Sequence, residues 1–256
     1  MFLKHITKIA RIFLEIFIKF FNWVFSLNND EREKKSAIEK LKMSMRATAK
    51  CRYYAAARLQ RQGRVSFFTT TVLSLGLIFI PLMQSSGVVL AYNSNVLGMM
   101  QIFLAVSVLI YSVVIATARY DIRAEKLTDC GDKLKELIRA IDRELEDKES
   151  ISNPELKSYQ DRYSDITTDT ENHISSDYKF AMLEMTRDYK ITGLKRLQIW
   201  FLALSISSIS LALPTVLLVV EVAFITDMVG ATEVFTSYLN GEKVNSKRAI
   251  SENLNE

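Results

Sequence analysis

The sequence predicts an all-α integral membrane protein: a transmembrane helical hairpin, a third transmembrane helix and a cytosolic antiparallel helical coiled coil. Three observations predict it. No Asp, Glu, Lys or Arg occurs in the 54 residues from Val65 to Ala118, enough for two spans of about 20 residues each. A second charge-free run covers Leu197 to Val220. Between these runs, apolar residues recur at alternating spacings of three and four inside strongly charged sequence, as in packed helices. The overall composition, 49% hydrophobic and 24% charged, would suit a soluble protein. The segregation of the charges decides otherwise.

Residues 1–27 read as an amphipathic interfacial helix. At about 100° per residue, Lys4, Lys8, Arg11, Glu15, Lys19 and Asn22 form a polar face opposite Phe2, Ile6, Phe13, Phe17, Phe20 and Val24. No small-residue cleavage site follows, which argues against a removed signal peptide. Threading this helix through the bilayer would place Arg11 and Glu15 near its centre at about 2.5–3.5 kcal/mol each, so an interfacial position is expected. The alternative is a span whose polar stripe faces other subunits.

Residues 28–196 form a core of several elements. After the polar break at Asn28 to Asp30, residues 31–64 read as a cytosolic helix, Glu31 to Arg64, that runs unbroken into the first span. Val65 to Met83 is already long enough to cross a bilayer, and Pro81 predicts a kink or a stop. Asn93, Ser94 and Asn95 supply a turn. Val96 to Ala118 then gives a second span about 34 Å long as a helix, completing the hairpin over 65–118.

Residues 119–196 should fold as an antiparallel helical hairpin. Its first helix carries Leu127, Cys130, Leu134, Leu137, Ile141 and Leu145 on one seam. Asn153 and Pro154 open the second as cap and first helical residue. Leu156, Tyr159, Tyr163, Ile166, Thr170 and His173 continue the spacing, and the helix leads through Tyr178, Ala181, Met185 and Tyr189 to Arg196. The third transmembrane helix is expected over 197–226, followed by a polar, loosely ordered tail over 227–256.

Basic residues orient the chain. Eleven Lys and Arg fall in Glu31 to Arg64 and fifteen in Arg119 to Arg196, against none in the hairpin loop and three in the tail. This places the coiled coil in the cytoplasm and the hairpin loop and tail outside. The net charge of +4 is modest and interleaved with acids, so direct nucleic-acid binding is not expected.

No catalytic constellation is present in the sequence. His5 and His173 are far apart and unmatched with Cys51 or Cys130 at metal-ligand spacing, glycines are scattered singly, and the cysteines read as reduced cytosolic thiols. The acids Glu144, Glu146 and Asp147 read as a solvated helix face. No cofactor, metal or enzymatic activity is therefore expected. What remains are polar residues inside the spans, which a bilayer makes costly. Thr70, Ser74, Pro81 and Gln84 share a stripe on the first span, Gln101, Ala105, Ser112 and Arg119 on the second, and Ser207, Ser210, Pro214 and Glu221 on the third. They are candidates for a pore lining or a subunit interface. The alternative is that the hydroxyls bond back to their own helices, that Ala203, Ser207, Ser208 and Ala212 give close packing, and that Glu221 sits at headgroup level.

Two stretches, TAKCRYYAAARLQRQGRVSFFTTTVLSLGLIFI (Thr48 to Ile80) and NVLGMMQIFLAVSVLIYSVVIATARYDIRAEKLTDCGDKLKELIRAID (Asn95 to Asp142), resemble the SLATT family of prokaryotic two-span effector domains. Within it they look like the subfamily often found beside reverse transcriptases. The resemblance includes the juxtamembrane residues Cys51, Arg52, Tyr53, Arg119, Tyr120, Asp121 and Arg123, which hydrophobicity alone does not dictate. It implies a membrane effector of antiviral, abortive-infection type defence in the bacterial inner membrane. Such an effector would form a homo-oligomeric pore when a cytosolic sensor, of a reverse transcriptase or nucleotidyltransferase system, triggers it. The alternative is a membrane-anchored scaffold whose coiled coil recruits a cytosolic partner.

Overall fold

The computed structural model describes residues 18, 19, 22–24, 36–148 and 150–239, and all regular structure among them is helical. In chain order the helices are α1 (Ala37–Ser85), α2 (Ser94–Ala118), α3 (Tyr120–Asp147), α4 (Asn153–Thr168), α5 (Ser175–Glu184), α6 (Gly193–Ile209), α7 (Ala212–Met228) and the short turn α8 (Thr236–Leu239). Of the expected polar face of the N-terminal helix, Lys4, Lys8, Arg11 and Glu15 lie outside the described residues. Lys19 is helical and exposed. The chain divides into two compact units, Met1–Leu59 with Asp121–Ile209, and Gln60–Tyr120 with Ser210–Glu256.

The first unit is the charged one. The alternating spacing on α3 is a buried seam, with Leu127, Cys130, Leu134, Leu137 and Ile141 all enclosed. The seam packs against two helices. Leu41 and Met45 of α1 join Leu137, Ile141 and Tyr159 in one cluster, and Ala49 joins Cys130 and Leu134 in another. The expected two-helix hairpin is thus a three-helix arrangement, with the start of α1 as the third member. Lys42 pairs with Asp142, and Lys148 bridges Glu144 and Glu155 at 3.0 and 2.7 Å across the α3 to α4 turn.

The second long helix expected here is broken twice. α4 is capped by Ser152 rather than Asn153, and the Glu155 carboxylate reaches back to accept the Ser152 backbone N–H at 2.9 Å and its hydroxyl at 2.7 Å. α4 then stops at Thr168, leaving Thr170 and His173 in a connection. Asn172 in this connection, and the serines that open α5, belong to the residue types whose side chains compete with the helix for backbone groups. Asp177 restarts the helix by accepting the Ile174 N–H at 3.0 Å. α5 ends at Glu184, and Tyr189 lies in the turns before α6. There Thr192 donates to the Trp23 carbonyl at 2.7 Å, and Gly193, at φ 57°, lies so close to Trp23 and Val24 that any side chain would collide.

The second unit is the apolar one. α1 and α2 each contain a stretch long and apolar enough to cross a bilayer, and α7, taken together with α6 of the first unit, counts as one more span at most. α1 does run unbroken from charged into apolar sequence, and it continues through Pro81 to Ser85. α2 opens on Asn93, whose side chain accepts the Val96 N–H at 2.9 Å, and it ends at Arg119, a left-handed residue at φ 47°. The third span is not the continuous 197–226 helix expected from hydropathy. It breaks at Ser210 and Leu211 because the Pro214 ring conflicts with a helical carbonyl four residues back, at Ser210, whereas proline is tolerated in the first turn of a new helix.

Within this unit, α1 and α7 meet along one seam. Gln62, Ser66, Thr69, Leu73, Gly76 and Ile80, spaced four and three apart, are the buried face of α1. Leu73 and Ile80 cluster with Phe224 and Met228 of α7 and with Leu97, Met100 and Leu104 of α2. The opposite faces show Phe67, Phe68, Leu75 and Ile78 of α1, and Ile102, Leu109 and Ile110 of α2, exposed in the isolated chain. Such a belt matches acyl chains.

Candidate functional site

The α1 to α7 seam holds the most unusual group of the apolar unit. Glu221 is 1% exposed, and neither carboxylate oxygen has a hydrogen-bond partner among the described residues. It lies against the backbone of Gly76, where an added Cβ would collide with the carboxylate. Gly76 therefore makes room for an acid in a face otherwise built to bring helices close. Seven residues toward the N-terminus of α1, the buried hydroxyl of Thr69 is also unpartnered. A buried acid that is neither paired nor hydrogen-bonded opposes the conformation that encloses it.

Six residues beyond Glu221 the seam ends in the opposite condition. Asp227, fully buried, accepts from the Tyr92 hydroxyl at 3.1 Å, the Val234 N–H at 3.0 Å, the Phe235 N–H at 2.5 Å and the Thr232 hydroxyl. Tyr92 stacks on Phe224 with centroids 4.7 Å apart, and Phe235 and Leu239 pack onto the apolar cluster. The first part of the tail is therefore folded onto the hairpin loop, contrary to the loosely ordered tail expected from its polarity. One carboxylate that collects backbone N–H groups brings this about. The remainder, 240–256, lies outside the described residues.

The sequence-derived candidates separate into groups. Thr70, Ser74 and Ser112 donate to carbonyls of their own helices at 3.0, 2.8 and 2.7 Å, to Ser66, Thr70 and Val108 respectively, which is the hydroxyl alternative. Gln84 and Gln101 meet each other at 2.7 Å between α1 and α2. Ser210 accepts from Gln62 at 2.5 Å, and Ser207 is buried. Arg119 is exposed and, being left-handed, does not continue the helical stripe of Gln101 and Ser112. Likewise the break at Ser210 and Leu211 interrupts the stripe that was to join Ser207 and Ser210 to Pro214 and Glu221. The seam residues Gln62, Ser66, Thr69 and Gly76 escaped the sequence reading. Their four-and-three spacing was the available signal, hidden because most of their neighbours beyond Arg64 are apolar or hydroxylated too.

The juxtamembrane residues in the charged unit act structurally. Arg58 grips Asp177 through two 3.1 Å bonds, Arg52 donates to the Glu171 carbonyl, and Arg123 pairs with the Glu171 carboxylate at 2.8 Å. Burial, reinforced by Asp177, pushes the Cys51 thiol up to about 11, so it is protonated and inert near neutrality. Among the described residues no cluster of His, Cys, Asp and Glu could hold a metal.

A family model described as "SMODS and SLOG-associating 2TM effector domain family 5" matches residues 34–226. The chain belongs to this SLATT family. The match takes in the charged unit's helices as well as the hairpin and nearly all of α7, so the third apolar segment and Glu221 are part of the family domain. No curated protein and no solved structure matches the chain. As a SLATT member the chain is a membrane effector domain of the two-span type, and the two compact units are the form that domain takes here.

Proposed function

We propose that this SLATT protein is the membrane effector of a prokaryotic antiviral, abortive-infection type defence system, acting as a homo-oligomeric pore that disrupts the inner membrane when a cytosolic sensor triggers it. The buried, unpartnered Glu221 carries this reading. The described conformation encloses an acid at a free-energy cost, so a conformation that wets Glu221 is favoured by relief of that cost, and an effector at rest has such a second state available. Two or three spans cannot surround a water path alone, so several copies are required. Their apolar outer faces supply the lipid contact. The basic residues flanking the spans support a cytoplasmic charged unit, with the hairpin loop and tail outside. A reverse transcriptase or nucleotidyltransferase system is the sensor the resemblance favours.

The test is expression in cells carrying a potential-sensitive dye, with planar-bilayer recording of the purified chain. Growth arrest should coincide with depolarisation, and Glu221→Ala or Arg119→Ala should change conductance more than Ser205→Ala. Toxicity with an intact membrane potential removes the pore.

A further inference from the structure

An open cavity of about 640 Å3 lies in the charged unit between α1, α3 and the end of α5. Its lining brings together four cations, Arg46, Lys50, Lys135 and Arg139, two tyrosines, Tyr53 and Tyr54, and one acid, Glu184. The rings are held by specific devices. Tyr53 lies over Gly131, where a Cβ would come within 2.8 Å of its Cζ, and its hydroxyl donates to Asp132 at 2.6 Å. Tyr54 stacks on Phe180 with centroids 5.5 Å apart. Lys135 stands 4.2 Å from the centre of the Tyr53 ring.

The cations fall into two pairs. Arg46 is bonded to Asp188 at 3.1 Å and Lys50 to Glu184 at 2.5 Å. The Lys50 bond holds the Glu184 carboxyl below the usual carboxylate range, so it stays ionised. Lys135 and Arg139 form no ion pair among the described residues. They stand beside a fixed aromatic and aliphatic wall, completed by Ile138. An ion that satisfies them must be anionic, and a ligand that also covers the wall must have a flat apolar part.

We infer that this cavity binds a soluble organic phosphate carrying an aromatic ring, a nucleotide by chemical class. The phosphate meets Lys135 and Arg139, and the ring lies against the tyrosine wall. The volume falls in the range of small-molecule sites, about 300–1,000 Å3. A membrane lipid is the poorer fit, because Lys50 precedes Val65 on the same helix by about 22 Å of axial rise. A nucleic-acid strand would need a longer basic track than one cavity offers.

The test is calorimetric titration of the detergent-solubilised full chain with ATP, GTP, AMP and GMP, and with inorganic phosphate, adenosine and guanosine as the separate halves. At least one nucleotide should bind saturably and about ten-fold or more tighter than either of its halves. Lys135→Glu and Arg139→Glu should each weaken it about ten-fold or more, as loss of a charged hydrogen bond requires, with Lys133→Glu without effect. Lys135→Gln, checked for an unchanged helical melt, separates loss of the cation from misfolding and should weaken binding in the same direction. Three results overturn the assignment: no saturable binding by any of the four, phosphate binding as tightly as the nucleotide, or displacement of the nucleotide by an acidic peptide at equal concentration. Because the readout is affinity, it stands apart from whether the chain conducts ions.

Discussion

At the scale of single residues, small side chains and one histidine carry the clearest consequences. Gly131 is there because Tyr53 occupies the space a Cβ would need. Gly131→Ala should lower stability by about 1–3 kcal/mol through overpacking, partly offset by the better helix propensity of alanine. Gly98, in the second turn of α2, has open space around it, so Gly98→Ala should be neutral or stabilising. Thermal melts of the two variants in one detergent check the contrast, and equal losses would show that the Tyr53 contact does not matter. His173 titrates downward from its ordinary value of 6.5, chiefly because burial opposes its charged form, with nearby Arg52 adding to the effect. The sign follows from linkage. Unfolded chains take up the proton near 6.5 and the folded chain resists it, so stability is full above that pH and falls as pH drops below it. His173→Gln should flatten the melting temperature between pH 7 and pH 5.5.

At the scale of elements, Asp227 is the fastening that sets the tail. Asp227→Ala strands the Tyr92 hydroxyl and two backbone N–H groups, a loss of about 3 kcal/mol or more. Limited proteolysis should then cut within 229–239, where the parent chain resists. The same residue shows what sequence could and could not disclose. The hairpin, the α3 seam and the passage of α1 from charged to apolar sequence were legible, because each rests on periodicity or on a long charge-free run. The break in the third span was not, since hydropathy averages across Pro214 and is insensitive to which carbonyl the ring displaces. The folded tail was not legible either. Asp227 reads as the first polar residue after a span, and nothing local shows that Tyr92, more than a hundred positions earlier, donates to it. The second charged helix misled for the reverse reason: its spacing persisted through Thr170 and His173, while the local residues there favour capping over helix. For the candidate site the sequence identified Glu221 from its isolation but could not supply Gly76, whose role exists only once α1 and α7 are packed.

For the whole molecule, the proposed pore and the scaffold differ in what the spans must do. Replacing the apolar part of α1, α2 and α7 with unrelated spans of equal length should abolish toxicity if the membrane unit conducts. It should spare toxicity if the charged unit merely needs tethering. Crosslinking in native membranes should show a ladder of copies for the pore, and a strictly monomeric pattern would rule it out. The apolar half of α1 also has a genetic meaning. Positions 62, 66, 69, 73, 76 and 80 touch protein, whereas Phe67, Phe68, Leu75 and Ile78 need only satisfy oil. The span is a sparse message, in which fewer than half the letters carry instructions. Saturation mutagenesis should find exchanges among large apolar residues silent on the lipid side, and the changes that destroy function falling into step every third and fourth codon.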